Sequence, residues 1–225
     1  MSFFGFFFLN LDNDTNLKQL FQISNNFGPD KIAMARNVEF NEKEAIQKAM
    51  EVFWEKGYNG TSLRDLTDAM KINSSSLYNT IGDKKELFVK CIELYTEVRE
   101  KDLIQREKSK GKALSILTKY IEDSVKIVII EKNGCFAIKT VFEGATDDPR
   151  IKNLIKNDND NNYRFISRTI AKAMAEGDIS NDESPELLAD FFISVWTGWY
   201  ESYLIHRDPL KIKKMAQYFI KQITK

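Results

Sequence analysis

The chain contains few of the residues that turns, metal sites and disulfide frameworks require. Its 225 residues include 10 Gly, 4 Pro, 2 Cys and 1 His. The scarcity of Gly and Pro argues against a protein built from β-hairpins, which need those residues repeatedly. Cys91 and Cys135 lie far apart and are too few for a disulfide framework, which favours a reducing cytoplasm. His206 alone leaves little basis for a His-based metal site or general base, so we expect no metal, no cofactor and no enzymatic activity.

Acidic and basic residues balance, with 33 Lys+Arg against 33 Asp+Glu, so the composition gives no general basic surface for nucleic acid. A local patch would still be compatible with DNA binding. The opening MSFFGFFFLN has no basic start and no cleavage signal, and it is too short to cross a bilayer, so we expect neither a targeting signal nor a membrane partner. We predict that residues 1–40 form an N-terminal extension or arm, of which 1–33 are either an upstream extension or an extra helix on the next domain.

Apolar residues recur at helical spacing from Asn41 to the end of the chain, and no segment predicts a strand, so the predicted fold class is all-α. Beyond residue 110, glycines and prolines mark the boundaries of helical segments at about 111–131, 135–145, 148–176, 184–206 and 209–224. The run NDNDNN at 157–162 lacks the Gly and the closing Glu of a calcium loop. We interpret it as the solvated middle of a long helix, or a break in one.

Two short helices separated by a tight turn are predicted between Thr61 and Ile81. Thr61 or Ser62 would cap the first helix, and Asn73 would cap the second. The apolar side chains that would hold the pair at a fixed angle are Leu66, Met70, Ile72 and Leu77. The second helix presents a polar face of short side chains, namely Ser74, Ser75, Ser76, Asn79 and Thr80. This arrangement is typical of a helix-turn-helix that reads DNA, because short side chains let the helix backbone approach the groove.

With their neighbours, these residues resemble the DNA-binding region of the TetR family of bacterial transcriptional regulators. The matching features, in the family's order and spacing, are Phe53, Gly57-Tyr58, Thr61-Ser62, Arg64-Asp65, Leu77-Tyr78 and Lys84 with Leu87. The resemblance implies an N-terminal three-helix bundle with a helix-turn-helix at 41–90, followed by a larger helical ligand-binding and dimerisation domain at 91–225. One departure is Lys71, which stands where the family's turn usually has Gly. It must turn without a left-handed conformation or accept strain.

The resemblance also implies roles for individual residues in binding double-stranded operator DNA. Tyr78 and Lys84 would contact backbone phosphates. Thr61 and Ser62 would hold a phosphate from the start of the first helix of the motif, and Arg64 would reach a phosphate or a base. The residues that read the base sequence would be Ser74, Ser75, Ser76, Asn79 and Thr80.

The predicted reading helix contains no Arg or Lys between Asn73 and Ile81, so bidentate recognition of guanine is absent from it. Specificity would instead rest on Asn79, hydroxyl contacts, thymine methyl contacts and DNA shape. Arg36 is a candidate to reach a groove from an N-terminal arm.

By the same resemblance, the C-terminal part would bind a small-molecule effector and form a homodimer. The ligand-contact candidates are Cys135, Phe136, Phe142, Glu143, Tyr163, Phe192 and Trp196. The dimer candidates are Val195, Trp199, Phe219 and Ile220, on the last two helices. The alternative for each of these side chains is an ordinary place in the core. A two-fold protein would match paired half-sites on DNA.

Cys135 supports a second hypothesis. It opens a predicted helix, and Lys139 lies one turn further along the same face. A thiol at a helix start beside an ammonium would have a lowered pKa. The segment GCFAIKTVFEGATDDPRIKN also resembles a TetR subgroup with Gly-Cys at this helix start. Cys135 would then sense electrophiles or oxidants, or else be a small buried apolar residue.

The leading interpretation is a cytoplasmic, homodimeric repressor that a small apolar inducer releases from its operator. One alternative is a thiol-based repressor acting through Cys135. Two others are a helical small-molecule-binding protein or enzyme without DNA function, and a helix-turn-helix protein that acts through protein partners.

Overall fold

The computed structural model describes residues 42–130, 134–145 and 147–224. The predicted N-terminal extension and Arg36 lie outside these ranges. Within them the chain forms nine α-helices and no strand, which confirms the all-α prediction. The helices are α1 (Glu42–Gly60), α2 (Leu63–Met70), α3 (Ser74–Thr80), α4 (Lys84–Glu107), α5 (Ala113–Ile130), α6 (Phe136–Phe142), α7 (Pro149–Ala175), α8 (Pro185–His206) and α9 (Pro209–Ile223).

The last three helices begin where capping residues place them. Asp148, Ser184 and Asp208 each accept hydrogen bonds from backbone N–H groups in the first turn of α7, α8 and α9, and a proline follows each cap. The predicted segments agree with these helices to within one residue at each end. The run 157–162 lies inside the continuous helix α7, so of the two alternatives the long helix is observed and the break is not.

A compact apolar core joins the first four helices. Phe53 of α1, Leu66 of α2, Leu77 of α3 and Leu87 and Phe88 of α4 are each at most 1% exposed. Burial of such side chains contributes about 1.5–3 kcal/mol each relative to leaving them in water. The short helices α2 and α3 are therefore held by tertiary packing, since isolated helices of this length are unstable in water.

In the rest of the chain, α7 is the central helix and contacts α4, α5 and α8, while α9 packs against α5 and α8. Leu117 and Ile121 of α5, Phe165 and Ile170 of α7 and Trp199 of α8 are central members of this second core.

Three negative findings apply to the described ranges. No helix there is long and apolar enough to cross a membrane. No group of three or more His, Cys, Asp or Glu side chains is placed to hold a metal ion. Cys91 and Cys135 are both buried and form no disulfide.

Candidate DNA-binding surface and ligand cavity

The helix α2 begins with a complete capping box. The Ser62 side chain accepts the backbone N–H of Asp65 at 3.1 Å, and the Asp65 carboxylate accepts the backbone N–H of Ser62 at 2.8 Å. Lys56 of α1 pairs with the same carboxylate at 2.5 Å. Hydrogen bonds from Lys56 and Ser62 hold the pKa of Asp65 well below its usual range. The sequence predicted either Thr61 or Ser62 as the N-cap of α2, and the structure shows that it is Ser62.

Thr61 is the one predicted DNA contact that the structure places inside the protein. It is 2% exposed, and its hydroxyl donates to the carbonyl oxygen of Gly57 at 2.6 Å. The hydroxyl is therefore not presented to a DNA backbone, and the predicted phosphate contact of the Thr61 side chain is corrected to a role in joining α1 to α2. The family resemblance that suggested this contact does not reveal how deeply the Thr61 side chain is buried.

The turn between α2 and α3 requires a left-handed residue, and Lys71 supplies it with φ 57° and ψ 40°. The sequence allowed either a turn without a left-handed residue or a strained, left-handed Lys71, and the structure shows the strained conformation. Such a conformation costs an L-residue roughly 1–2 kcal/mol. Backbone hydrogen bonds close the turn, since the N–H of Ile72 donates to the carbonyl of Thr67 at 3.1 Å. Asn73 then caps α3 by accepting the N–H of Ser76 at 2.7 Å, as predicted.

The outer face of α3 is polar and open. Leu77 is fully buried and fixes the helix, while the next residue, Tyr78, is 51% exposed. Ser74, Ser75, Asn79 and Thr80 are also exposed, and Ser76 is partly buried beside the Asn73 cap. The residues predicted to read bases therefore share an accessible surface, with Ser76 at its edge.

Lys84 is the first residue of α4, the helix that follows α3 in the chain. Its ammonium lies 4.5 Å from the centroid of the Tyr58 ring, a cation–π contact that orients the side chain. Burial lowers the pKa of Lys84. The Asp83 carboxylate already accepts the backbone N–H groups of Lys85 and Glu86, so the Lys84 ammonium, and not these two amides, is the group available to a phosphate at this helix start. Arg64 of α2 is exposed, 3.7 Å from Asp68.

A cavity of about 270 Å³ lies among α4, α5, α6, α7 and α8. Four of the seven ligand candidates line it, namely Cys135, Phe142, Phe192 and Trp196. The other three do not. Phe136 packs into an aromatic cluster with Trp54, Phe88 and Tyr95. Tyr163 packs against the second core, and the carboxylate of Glu143 points to α1.

The polar wall of the cavity was not predicted. Arg99 of α4 donates from Nε to the Asp158 carboxylate of α7 at 2.8 Å, and both side chains line the cavity. Asp158 is 7% exposed, which corrects the interpretation of its segment as simply solvated. The residues next to Asp158 in the sequence are Asn and Asp, which are typical of a protein surface. Its partner Arg99 lies 59 positions away in the sequence, so the pair could not be recognised from neighbouring residues. The one indication in the sequence was the position of Asp158 on the helical repeat of α7.

Cys135 lies in a different environment from the predicted one. It is 5% exposed, and its Sγ lies 3.2 Å from the Tyr95 hydroxyl. The Lys139 ammonium donates instead to the carbonyl oxygens of Trp54 and Glu55, at 2.7 and 3.0 Å. The thiol–ammonium pairing inferred from their spacing is therefore absent, because the C-terminal part of α1 offers Lys139 a better set of acceptors.

The helix α6 connects the cavity to the end of α1. Its residues Ala137, Ile138, Val141 and Phe142 line the cavity. From its other side, Lys139 binds the α1 carbonyls, and the Glu143 carboxylate accepts the backbone N–H of Tyr58 at 3.1 Å. The indole N–H of Trp54 donates to the carbonyl of Gly134 at 2.9 Å, just before α6. A displacement of α6 would therefore act directly on the corner that leads into α2.

Two dimer candidates belong to the core of one chain. Trp199 is 1% exposed and Phe219 is 5% exposed, which corrects their assignment to an interface. Val195 and Ile220 are partly buried against the same core. The exposed apolar side chains of α8 and α9 are instead Leu187, Phe191, Leu204, Ile205, Leu210 and Tyr218. Helical periodicity in the sequence therefore did not separate the buried faces of α8 and α9 from their exposed faces.

Two family models match the chain. Residues 45–91 match the model described as bacterial regulatory proteins, tetR family. Residues 114–219 match the model described as Tetracyclin repressor-like, C-terminal domain. Among curated proteins, the HTH-type transcriptional repressor ComR of Escherichia coli (strain K12) is 27% identical over 191 residues, covering 83% of this chain and 89% of ComR.

Solved structures share the fold along nearly their whole length. A TetR-family regulator from Agrobacterium tumefaciens has a TM-score of 0.74 at 18% identity, covering 81% of this chain and 97% of that one. The TetR-family regulator CifR, as a cysteine mutant with 26-bp double-stranded operator DNA, has a TM-score of 0.70 at 23% identity, covering 83% and 98%.

Proposed function

The chain belongs to the TetR family of bacterial regulatory proteins, and on this premise we propose that it is a transcriptional repressor released from its operator by a small apolar effector. The observation that carries the proposal is the open polar face of α3, which is mounted on the buried Leu77 and followed by the Lys84 ammonium. ComR, a relative over most of the chain, is described as a repressor, and CifR has been solved with operator DNA.

In the proposed complex, α3 lies in the major groove and its flanks contact phosphates. The Tyr78 hydroxyl and the Lys84 ammonium would bind phosphates, joined by the exposed Ser62 and Arg64. Ser74, Ser75, Asn79 and Thr80 would face base edges, with Ser76 at the margin. Asn79 has the amide geometry that pairs with adenine, whereas no side chain of α3 can bind guanine in a bidentate manner.

The effector would occupy the 270 Å³ cavity and act through α6. Its binding would favour a different position of α6, because four residues of that helix form part of the cavity wall. Lys139 and Glu143 would transmit the shift to the last turns of α1 and thus to the capping box of α2. In this mechanism the loss of operator-binding free energy cannot exceed the difference between the effector's binding free energies for the displaced and the original positions of α6.

We assign DNA binding to residues 41–90 and effector binding and dimerisation to residues 91–225, in a cytoplasmic homodimer. The support for a dimer is the set of exposed apolar residues on α8 and α9, which includes Phe191 at 53% and Ile205 at 66% exposure. A two-fold protein would present two copies of α3 to paired half-sites.

A second candidate is a thiol-based repressor, favoured by the position of Cys135 on the cavity wall beside the Tyr95 hydroxyl. Electrophiles that enter the cavity would reach this sulfur. Alkylation rates test the idea, with Cys91 as the internal control because it is fully buried and burial raises its pKa. If Cys135 reacts no faster than a free peptide thiol, this candidate fails.

Footprinting on the DNA upstream of the protein's own coding sequence tests the main proposal. We expect protection of a site with two-fold symmetry, and loss of that protection when Asn79 is replaced by Ala. If the protein protects no site, or binds all sequences equally, it is not an operator-specific repressor. Circular dichroism of the variant checks that the exposed substitution leaves the fold intact.

A further inference from the structure

The cavity has a chemical character that narrows the effector beyond its being small and apolar. We propose that it accepts an uncharged, single-ring aromatic compound bearing a hydrogen-bond acceptor oxygen, such as an aryl ketone. This assignment depends on the proposed use of the cavity as the effector site. It follows from three separate features of the wall.

The first feature is size and aromatic lining. The cavity measures about 270 Å³, whereas an engineered cavity of roughly 150 Å³ in another protein accommodates benzene. One substituted ring therefore fits. The wall includes the aromatic side chains of Tyr95, Tyr120, Phe142, Phe192 and Trp196. Rings pack against such walls with stacked or edge-to-face contacts that favour an aromatic guest.

The second feature is charge. The only charged side chains that line the cavity are Arg99 and Asp158, and they already pair with each other at 2.8 Å within the described structure. A carboxylate ligand that approached Arg99 would face the Asp158 carboxylate as well. A cationic ligand that approached Asp158 would face the guanidinium. Because a buried charge without its own partner is costly, the neutral pair selects an uncharged ligand.

The third feature is a buried hydrogen-bond donor without an acceptor. Arg99 is already committed to the Asp158 carboxylate through its Nε, and its guanidinium lies over the Tyr95 ring, 5.7 Å from the centroid. The indole Nε1 of Trp196, another cavity residue, is buried and has no hydrogen-bond partner in the part of the chain that the structure describes. An acceptor oxygen on the ligand would satisfy such a donor.

The hydroxyl groups of the wall are already engaged. Tyr120 donates to Asn162, Ser124 donates to the backbone of Tyr120, and Thr197 donates to the backbone of Ile193. These hydroxyls therefore do not need an acceptor from the ligand. Among the described residues, the buried wall atom without a hydrogen-bond partner is the indole Nε1 of Trp196, and this donor calls for an acceptor such as a carbonyl oxygen.

Calorimetric titration of the full-length protein, without DNA, tests the assignment with four ring compounds of similar size. The probes are acetophenone, isopropylbenzene, benzoate and trimethylphenylammonium. We expect acetophenone to bind at least about tenfold more tightly than each of the others, as one hydrogen bond to a buried donor implies. Equal or tighter binding of benzoate, the ammonium compound or isopropylbenzene would overturn the proposal, and so would failure of all four to bind.

Two variants locate the binding site. Trp196→Phe keeps a ring but removes the N–H, so it should weaken acetophenone several-fold and leave isopropylbenzene unchanged. Ala137→Phe should fill the cavity and remove acetophenone binding, since Ala137 lines it and is 3% exposed. Undiminished acetophenone binding to a folded Ala137→Phe protein would place the compound elsewhere and refute the assignment. Trp196→Phe supplies the location test if Ala137→Phe does not fold.

The outcome is separable from the proposed function. If the protein protects its operator but acetophenone does not bind, the ligand assignment fails alone. If acetophenone binds with the expected preference and the protein protects no DNA, the repressor proposal fails and the assignment of the cavity stands.

Discussion

At the scale of single residues, Gly57 shows how tightly the end of α1 is joined to α6. Its backbone has φ 76° and ψ 167°, a region that is essentially restricted to glycine. A Cβ atom at this position would collide with the Glu143 carboxylate, which accepts the neighbouring N–H of Tyr58. Glycine is therefore required at position 57 for two reasons. Other residues rarely adopt its backbone conformation, and a side chain would clash with Glu143 at the end of α6.

The substitution Gly57→Ala should lower the free energy of unfolding by about 2 kcal/mol or more, because it adds a steric conflict to backbone strain. Gly144→Ala is the matched control, since Gly144 also has a positive φ of 67° but no atom lies within 4 Å of the position that a Cβ would take there. It should cost roughly 1 kcal/mol. Urea unfolding measures both, and equal losses would show that the Glu143 contact is unimportant.

At the scale of elements, α4 and α7 are joined at their first turns by a charged cluster. Arg150 of α7 binds the Glu86 carboxylate of α4 through both terminal nitrogens, at 2.7 and 2.9 Å. It also contacts Asp148, which lies 3.3 Å from Lys85. The cluster attaches the helix that follows the DNA-reading motif to the central helix of the C-terminal part.

The cluster predicts a defined pH dependence of stability. Hydrogen bonds from Arg150 hold the pKa of Asp148 well below its usual range and also lower the pKa of Glu86. Because both pKa values are lower in the folded state, the stabilisation is present above the ordinary values of 3.8 and 4.5 and is lost as the pH falls below them.

The stability difference between wild type and Arg150→Gln should therefore be largest near neutral pH and shrink below about pH 4. Arg168→Gln is the control, since Arg168 is 72% exposed and lies 3.7 Å from Glu107. Denaturant unfolding across this pH range measures both variants. A difference for Arg150→Gln that stays constant as the pH falls would contradict the role given to the cluster.

The elements themselves were largely predictable from the sequence, and their long-range contacts were not. Asn73 caps α3 as expected, and the boundaries predicted from glycines and prolines coincide with the starts of α7 and α9, because both kinds of signal are local. The partner of Lys139 was mispredicted, because a neighbour one turn away is visible in sequence whereas the α1 carbonyls are not. The Arg99–Asp158 pair was missed for the same reason, since it depends on how α4 and α7 pack.

At the scale of the whole molecule, α8 and α9 present apolar side chains that a single chain leaves exposed. Leu187, Phe191 and Ile205 are 53%, 53% and 66% exposed, and they follow one another at helical spacing on α8. Gly198 lies on the same helix with no atom within 4 Å of a Cβ built on it, so a second backbone could approach there. This surface is the proposed dimer interface.

Phe191→Glu should shift the protein from dimer to monomer at micromolar concentration, because the dimer would bury a carboxylate without a partner. Ile104→Glu is the control, since Ile104 is a 42% exposed apolar residue on α4. Sedimentation equilibrium measures the mass of each variant. The assignment is wrong if both variants remain dimeric, or if the wild type is a monomer.

The central claim is that α3 and the start of α4 bind DNA, and the salt dependence of operator affinity tests it most directly. Fluorescence anisotropy would compare wild type with Lys84→Gln, Tyr78→Phe and the control Lys85→Gln, whose ammonium is already 3.3 Å from Asp148. Lys84→Gln should weaken binding and reduce the slope of log affinity against log salt by about 1, while Lys85→Gln changes the slope less. Tyr78→Phe should weaken binding at every salt concentration. Wild-type affinity and slope in both Lys84→Gln and Tyr78→Phe would contradict the account.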